Sequence, residues 1–173
     1  MNIVVCDYEH HAAPILAILN DAIVHTTALF DYEPRAPETM VEWFRIKKAR
    51  QFPVLGAVSD HGELMGFATY GTFRAWPAYK YTIEHSVYVQ RDHRRKGVAH
   101  ELMTRLIAAA EQQSYHVMVA GIDATNAASI ALHEQLGFVH AGSIHHAGFK
   151  FGRWLDLAFY ELRLRTPAAP VDG

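Results

Sequence analysis

Apolar residues recur at helical spacing in Val98, Leu102, Leu106 and Ala110, with Ala99, Met103 and Ile107 beside them. That stripe predicts an amphipathic helix running to about Tyr115. Just upstream, residues 83–89 set Val87 and Val89 around Tyr88, a β-branched and aromatic run that predicts a strand. Around this strand–turn–helix unit the remaining pattern falls into place. Residues 3–8 read as a short strand, and Ile15, Leu16, Leu19, Ala22 and Ile23 follow at helical spacing, with Pro14 expected in the first turn. Pro37 opens a second helix that carries Met40, Trp43 and Phe44 along one side. Residues 53–59 and 64–73 predict two strands of a hairpin closed by Asp60-His61-Gly62-Glu63.

Beyond the central helix, residues 116–122 predict a buried strand, and Asn126 begins a short helix that Gly137 closes. Residues 138–144 and 154–164 predict two antiparallel strands. Only the unit from strand 83–89 to strand 116–122 demands a parallel crossover; the other connections suit hairpins. The expected fold is therefore α/β, a mixed, mostly antiparallel sheet with helices on both faces. One domain is expected over 1–165, with a flexible tail at 166–173, where two prolines interrupt a stretch of no apolar period.

Charge and composition remove several classes. The chain has 173 residues, half of them hydrophobic, and a formal charge of −2, which argues against a dedicated nucleic-acid binder. It shows no run of about 18 apolar residues and no basic segment leading into an apolar one, so a soluble protein without an export signal is expected. The single cysteine, Cys6, allows no internal disulfide, suits a reducing cytoplasm and reads as a small core residue. No His-Glu-x-x-His or Gly-x-Ser-x-Gly occurs despite 12 histidines, so neither a metal site nor a serine hydrolase is expected.

The turn between strand and helix carries Arg94, Arg95 and Lys96, then Gly97 and the small residues Val98 and Ala99. A helix start with open N–H groups, a positive dipole end and little bulk can hold a pyrophosphate against its backbone. A solvated basic turn capping an ordinary helix would share this spacing. The P-loop and the dinucleotide glycine fingerprint are both absent.

Arg94-x-x-Gly97-x-Ala99 after a valine-rich strand resembles the acetyl-CoA motif of the GNAT N-acetyltransferase superfamily. The strings Tyr81–Val89, Leu132–Phe138 and Gly148–Asp156 resemble its phosphinothricin and methionine sulfoximine acetyltransferase branch. The resemblance implies acetyl-CoA as co-substrate, a small amino acid-like acceptor and a homodimer. It implies that the backbone of Val87, Tyr88 and Val89 pairs with the pantetheine arm, that the turn from Arg94 to Ala99 holds the diphosphate, and that Asn126 contacts the same arm. It implies Glu84 as general base and His133 as a second acid–base group, where many relatives carry tyrosine. Arg74 and Tyr79 match positions that hold the anionic end of the acceptor, and Phe30 matches an aromatic wall. Trp76 departs from the pattern of many relatives. Two other readings remain: a peptide N-terminus as acceptor, and a silent acyl-CoA-binding module.

Overall fold

The alternation of short strands with three amphipathic helices and one short capped helix is realised in a computed structural model, which describes residues 1–172. The strands are β1 (Asn2–Val5), β2 (Val54–Val58), β3 (Leu64–Thr72), β4 (Thr82–Val89), β5 (Val117–Asp123), β6 (Val139–Lys150) and β7 (Arg153–Arg163). The α-helices are α1 (Tyr8–His25), α2 (Thr39–Ala49), α3 (Val98–Gln112) and α4 (Ala127–Gln135). The strands form one mixed sheet in the order β1-β2-β3-β4-β5-β7-β6, in which β4 and β5 run parallel. Two compact units emerge, one of Met1–Tyr70 with Ser86–Leu106, the other of Gly71–His85 with Ile107 onward.

The first unit has a core made by α1, α2 and the first strands. Ile15, Ile18, Leu19, Met40, Phe44, Val54, Leu64 and Phe67 bury together with Cys6. Each such side chain contributes about 1.5–3 kcal/mol when fully buried. The Cys6 thiol is pushed up to about 12, first by burial and then by Asp7, which leaves it inert at neutral pH. Asp7 caps α1 by accepting from the His10 N–H at 2.8 Å, so the helix starts at Tyr8. The expected strand to residue 8 therefore ends at Val5, and Pro14 sits inside the helix, not in its first turn. The buried stripe Ile15, Ile18, Leu19, Ala22 and Ile23 carries the helix past the proline.

The second unit is built on β5, β7 and β6, with the first half of β4 beside β5. The sequence periodicity places the end of β6 near residue 144, yet the strand continues to Lys150. Its register with β7 shifts between Ile144 and Gly148, where Asp156 accepts from the His146 N–H at 2.8 Å. A bulge of this kind breaks the two-residue period without ending the strand. The hairpin then closes through Phe151 and Gly152, both at positive φ. Residues 166–172 form no helix or strand, but the Thr166 hydroxyl donates to the Tyr115 carbonyl at 2.5 Å and the Val171 N–H to the Tyr81 hydroxyl at 3.1 Å. Among the described residues no helix is long and apolar enough to cross a membrane, and no cluster could hold a metal ion.

Candidate active site

Strand β4 contributes to both units, and its two halves have different chemistry. Its ladder with β5 spans Thr82↔Val117, Ile83↔Met118 and Glu84↔Val119, and ends there. Val87, Tyr88 and Val89 continue the strand beyond the last β5 pair, and a strand edge that has left its neighbour suits an extended ligand. On the other edge β3 approaches so closely that a Cβ on Gly66 would lie 2.7 Å from the Tyr88 carbonyl oxygen.

After β4 the chain makes a short 3-10 turn over Arg91–His93 and enters α3 at Val98. Arg95 and Gly97 both have positive φ, at 59° and 79°, and the space that a Gly97 side chain would fill is open. Left-handed residues alternating with others turn successive N–H groups to one side, and the first N–H groups of α3 have no intrahelical acceptor. Arg95, Lys96 and Gly97 are exposed, Ala99 is half-buried, and Val98 roots the helix in the core. Arg94 does something else with its side chain. Its Nε donates to the Val89 carbonyl at 3.2 Å, and its guanidinium lies 3.8 Å from Asp21, which also pairs with Arg91. The guanidinium braces the bend, and the open backbone beyond it fits a diphosphate.

The first half of β4 presents side chains. Thr82 and Glu84 point to one face, Ile83 and His85 to the buried one. Glu84 is half-buried, and burial pushes its carboxyl above the ordinary carboxylate range, an effect that the Arg74 cation partly offsets. A cleft of about 310 Å³ opens in this unit, lined by Arg74, Tyr79, Phe73, Val119, Phe159 and Glu161 among others. The Arg74 guanidinium lies 4.5 Å over the Phe73 ring, and Tyr79 meets the same ring edge-on at 5.6 Å. Glu84 borders this face at Gly121, where a built Cβ would come within 3.3 Å of its Oε1 and 3.9 Å of the Phe159 ring. Arg74, Tyr79 and Glu84 thus gather in one unit. Phe30 belongs to the other, in the loop after α1, and is 37% exposed; Trp76 is more exposed still, at 68%.

His133 lies at the end of α4, whose cap is the Asn126 side chain accepting from the Ser129 N–H at 3.1 Å. It is 2% exposed, with Nδ1 2.6 Å from the Ser129 carbonyl and Nε2 3.0 Å from Nε2 of His85. A carbonyl only accepts, so Nδ1 of His133 carries the proton. Its Nε2 then accepts from His85, whose own Nδ1 is buried without a partner among the described residues. Burial holds both imidazoles neutral, His85 down to about 3, with His133 as its second cause. Sequence reasoning missed His85, although the alternation that turns Glu84 outward turns His85 inward. It also missed Phe159 and Glu161, which only the pairing of β5 with β7 brings to the cleft.

One unit carries an open helix start after a strand that has left its neighbour, and the other a half-buried carboxylate and a guanidinium, features that suit an acyl-CoA-dependent transferase. The acetyltransferase (GNAT) family matches residues 17–138, and the chain belongs to it: this is an acetyl-CoA-dependent N-acetyltransferase. The L-methionine sulfoximine/L-methionine sulfone acetyltransferase of Pseudomonas paraeruginosa is 45% identical over 157 residues, 90% of this chain and 91% of that one. A phosphinothricin acetyltransferase from Sinorhizobium meliloti in complex with acetyl-CoA superposes with a TM-score of 0.93 at 28% identity, covering 98% of this chain and 91% of that one. A ribosomal-protein-alanine N-acetyltransferase from Brucella melitensis superposes with a TM-score of 0.92 at 38% identity, covering 95% and 100%.

Proposed function

We propose that this enzyme acetylates the α-amine of a small amino acid of the methionine sulfoximine, methionine sulfone or phosphinothricin type, with Glu84 as general base. The observation that carries this reading is the half-buried Glu84 carboxylate on the sheet face that floors a cleft holding Arg74. Acetyl-CoA supplies the thioester when bound. The N–H groups from Arg95 to Ala99 grip its diphosphate, the backbone of Val87, Tyr88 and Val89 aligns its arm, and Asn126 is a further contact to that arm. Arg74 and Tyr79 orient the acceptor carboxylate, a task suited to a planar guanidinium. Phe30 is the further aromatic wall.

Glu84 takes one proton from the acceptor ammonium, directly or through water, and frees the nitrogen lone pair. A carboxyl pushed towards neutrality by burial is a better base for this than an ordinary one. The nitrogen forms its bond to the thioester carbon, the C–S bond breaks, and the sulfur leaves with the electron pair and collects a proton. His133 stands behind this step as a neutral imidazole held by two hydrogen bonds. For it to donate a proton to the sulfur, its Nε2 would first have to gain one, and burial opposes that. Cytoplasmic residence and a homodimer belong to the same reading, and size-exclusion chromatography checks the latter.

The likeness to a ribosomal-protein-alanine N-acetyltransferase favours a second reading, a peptide N-terminus as acceptor. A free-thiol release assay separates the two. With methionine sulfone, methionine sulfoximine, phosphinothricin, the ordinary amino acids and an alanine-terminated peptide as acceptors, the small analogues are expected to release thiol fastest. Faster release with the peptide overturns the small-acceptor reading, and no release with any acceptor removes both.

A further inference from the structure

The register of the sheet sets a second carboxylate opposite Glu84. Glu84 pairs with Val119 across β4 and β5, and Val119 pairs with Glu161 across β5 and β7. Residues in one cross-strand row point to the same face, so Glu84 and Glu161 share the cleft face with only Val119 between them. Two interstrand spacings put their Cα atoms about 10 Å apart. Two residue pairs along, on the same face, Gly121 faces Phe159, whose ring continues the wall from Glu84. Glu161 lines the cleft and is half-buried there. Among the described residues it has no ion-pair partner. Arg163, on the same face two residues on, is exposed and outside the cleft lining.

Building on the acceptor reading above, we infer that Glu161 is a specificity-determining residue that selects acceptors with an uncharged side-chain end over those with an anionic one. The charges of the cleft leave it no other part. An amino acid enters with an ammonium, matched by Glu84, and a carboxylate, matched by Arg74. The side chain then extends along the wall of Phe73, Val119 and Phe159, with Glu161 as the remaining charge. Methionine sulfone and phosphinothricin test this, because they share a two-carbon stem and a tetrahedral end carrying a methyl group and differ chiefly in charge. The sulfone is neutral, whereas the phosphinate is an anion at neutral pH. A carboxylate facing that end discriminates by repulsion, which is specificity by disfavouring the wrong ligand.

The experiment measures kcat/KM for L-methionine sulfone and L-phosphinothricin with the unmutated enzyme, Glu161→Gln and Glu161→Asp. The unmutated enzyme is expected to prefer the sulfone by about tenfold or more, the scale of one like-charge contact in a partly solvated site. Glu161→Gln moves the ratio about tenfold towards phosphinothricin, while Glu161→Asp, which keeps the charge, stays nearer the unmutated ratio. Should Glu161→Gln not fold, the preference of the unmutated enzyme decides. Equal handling of the two acceptors, or an unchanged ratio in Glu161→Gln, overturns the role of Glu161 and leaves the acceptor reading intact. No thiol release with either acceptor overturns both together.

Discussion

The turn from Arg94 to Ala99 and the cleft beside Thr82 and Glu84 draw on one strand and use opposite parts of the chain. In the proposed function the turn works through backbone N–H donors beside a glycine at φ 79° and little side-chain bulk, while Arg94 is engaged with Val89 and Asp21. In the cleft the useful groups are side chains, and the backbone is locked in the ladder with β5. A diphosphate needs many donors and tolerates solvent; a proton transfer needs one carboxylate with a displaced pKa, and therefore burial. The contrast teaches that binding and chemistry here can be broken separately.

The largest separate effect is expected in the cleft. Glu84→Gln should lower kcat by about 10²–10⁴ with acetyl-CoA affinity retained, as checked by steady-state kinetics beside calorimetric titration of the coenzyme. Behind that strand, His133→Ala removes the acceptor of the buried His85 N–H and leaves a cavity. It should cost about 2–4 kcal/mol in urea unfolding, since an unpaired buried donor carries its full desolvation penalty. At the turn, Gly97→Glu adds bulk and negative charge to a left-handed position and should weaken acetyl-CoA binding by about 10–100-fold, the cost of lost donors and a repelled diphosphate. Arg95→Ala should weaken it only about two- to threefold, because an exposed cation adds little to a site made of backbone. A loss in Arg95→Ala as large as that in Gly97→Glu would erase the contrast.

The sign of the Glu84 shift yields a stability test of the same contrast. Its folded pKa lies above the unfolded one, so the folded state holds the proton more tightly, and stability falls as pH rises through that interval. Glu84→Gln removes this loss, so its melting temperature at pH 7 to 8 is expected above that of the unmutated enzyme. A lower melting temperature there would mean that the carboxylate is stabilised, not strained, by its surroundings.

The same division explains what the sequence discloses. The helix stripe from Val98 to Ala110, the glycine of the turn and the Asn126 cap are local, set by residues a few positions apart, and each is readable without a fold. The parallel crossover from β4 to β5 follows from them. The Glu161 carboxylate and the Phe159 ring join Glu84 through pairing between strands far apart in the chain, which no local period encodes. The partnership of His85 with His133 is hidden for the same reason, and the extension of β6 because a bulge between Ile144 and Gly148, opposite Asp156, interrupts its alternation.

The central claim is that Glu84 removes the acceptor's proton, and the pH dependence of kcat tests it most directly. With saturating acetyl-CoA and methionine sulfone, kcat should rise on an acidic limb whose midpoint lies above the ordinary carboxylate range, and Glu84→Gln should lose that limb along with its rate. A limb that persists unchanged in Glu84→Gln would assign the base to another group and contradict the account.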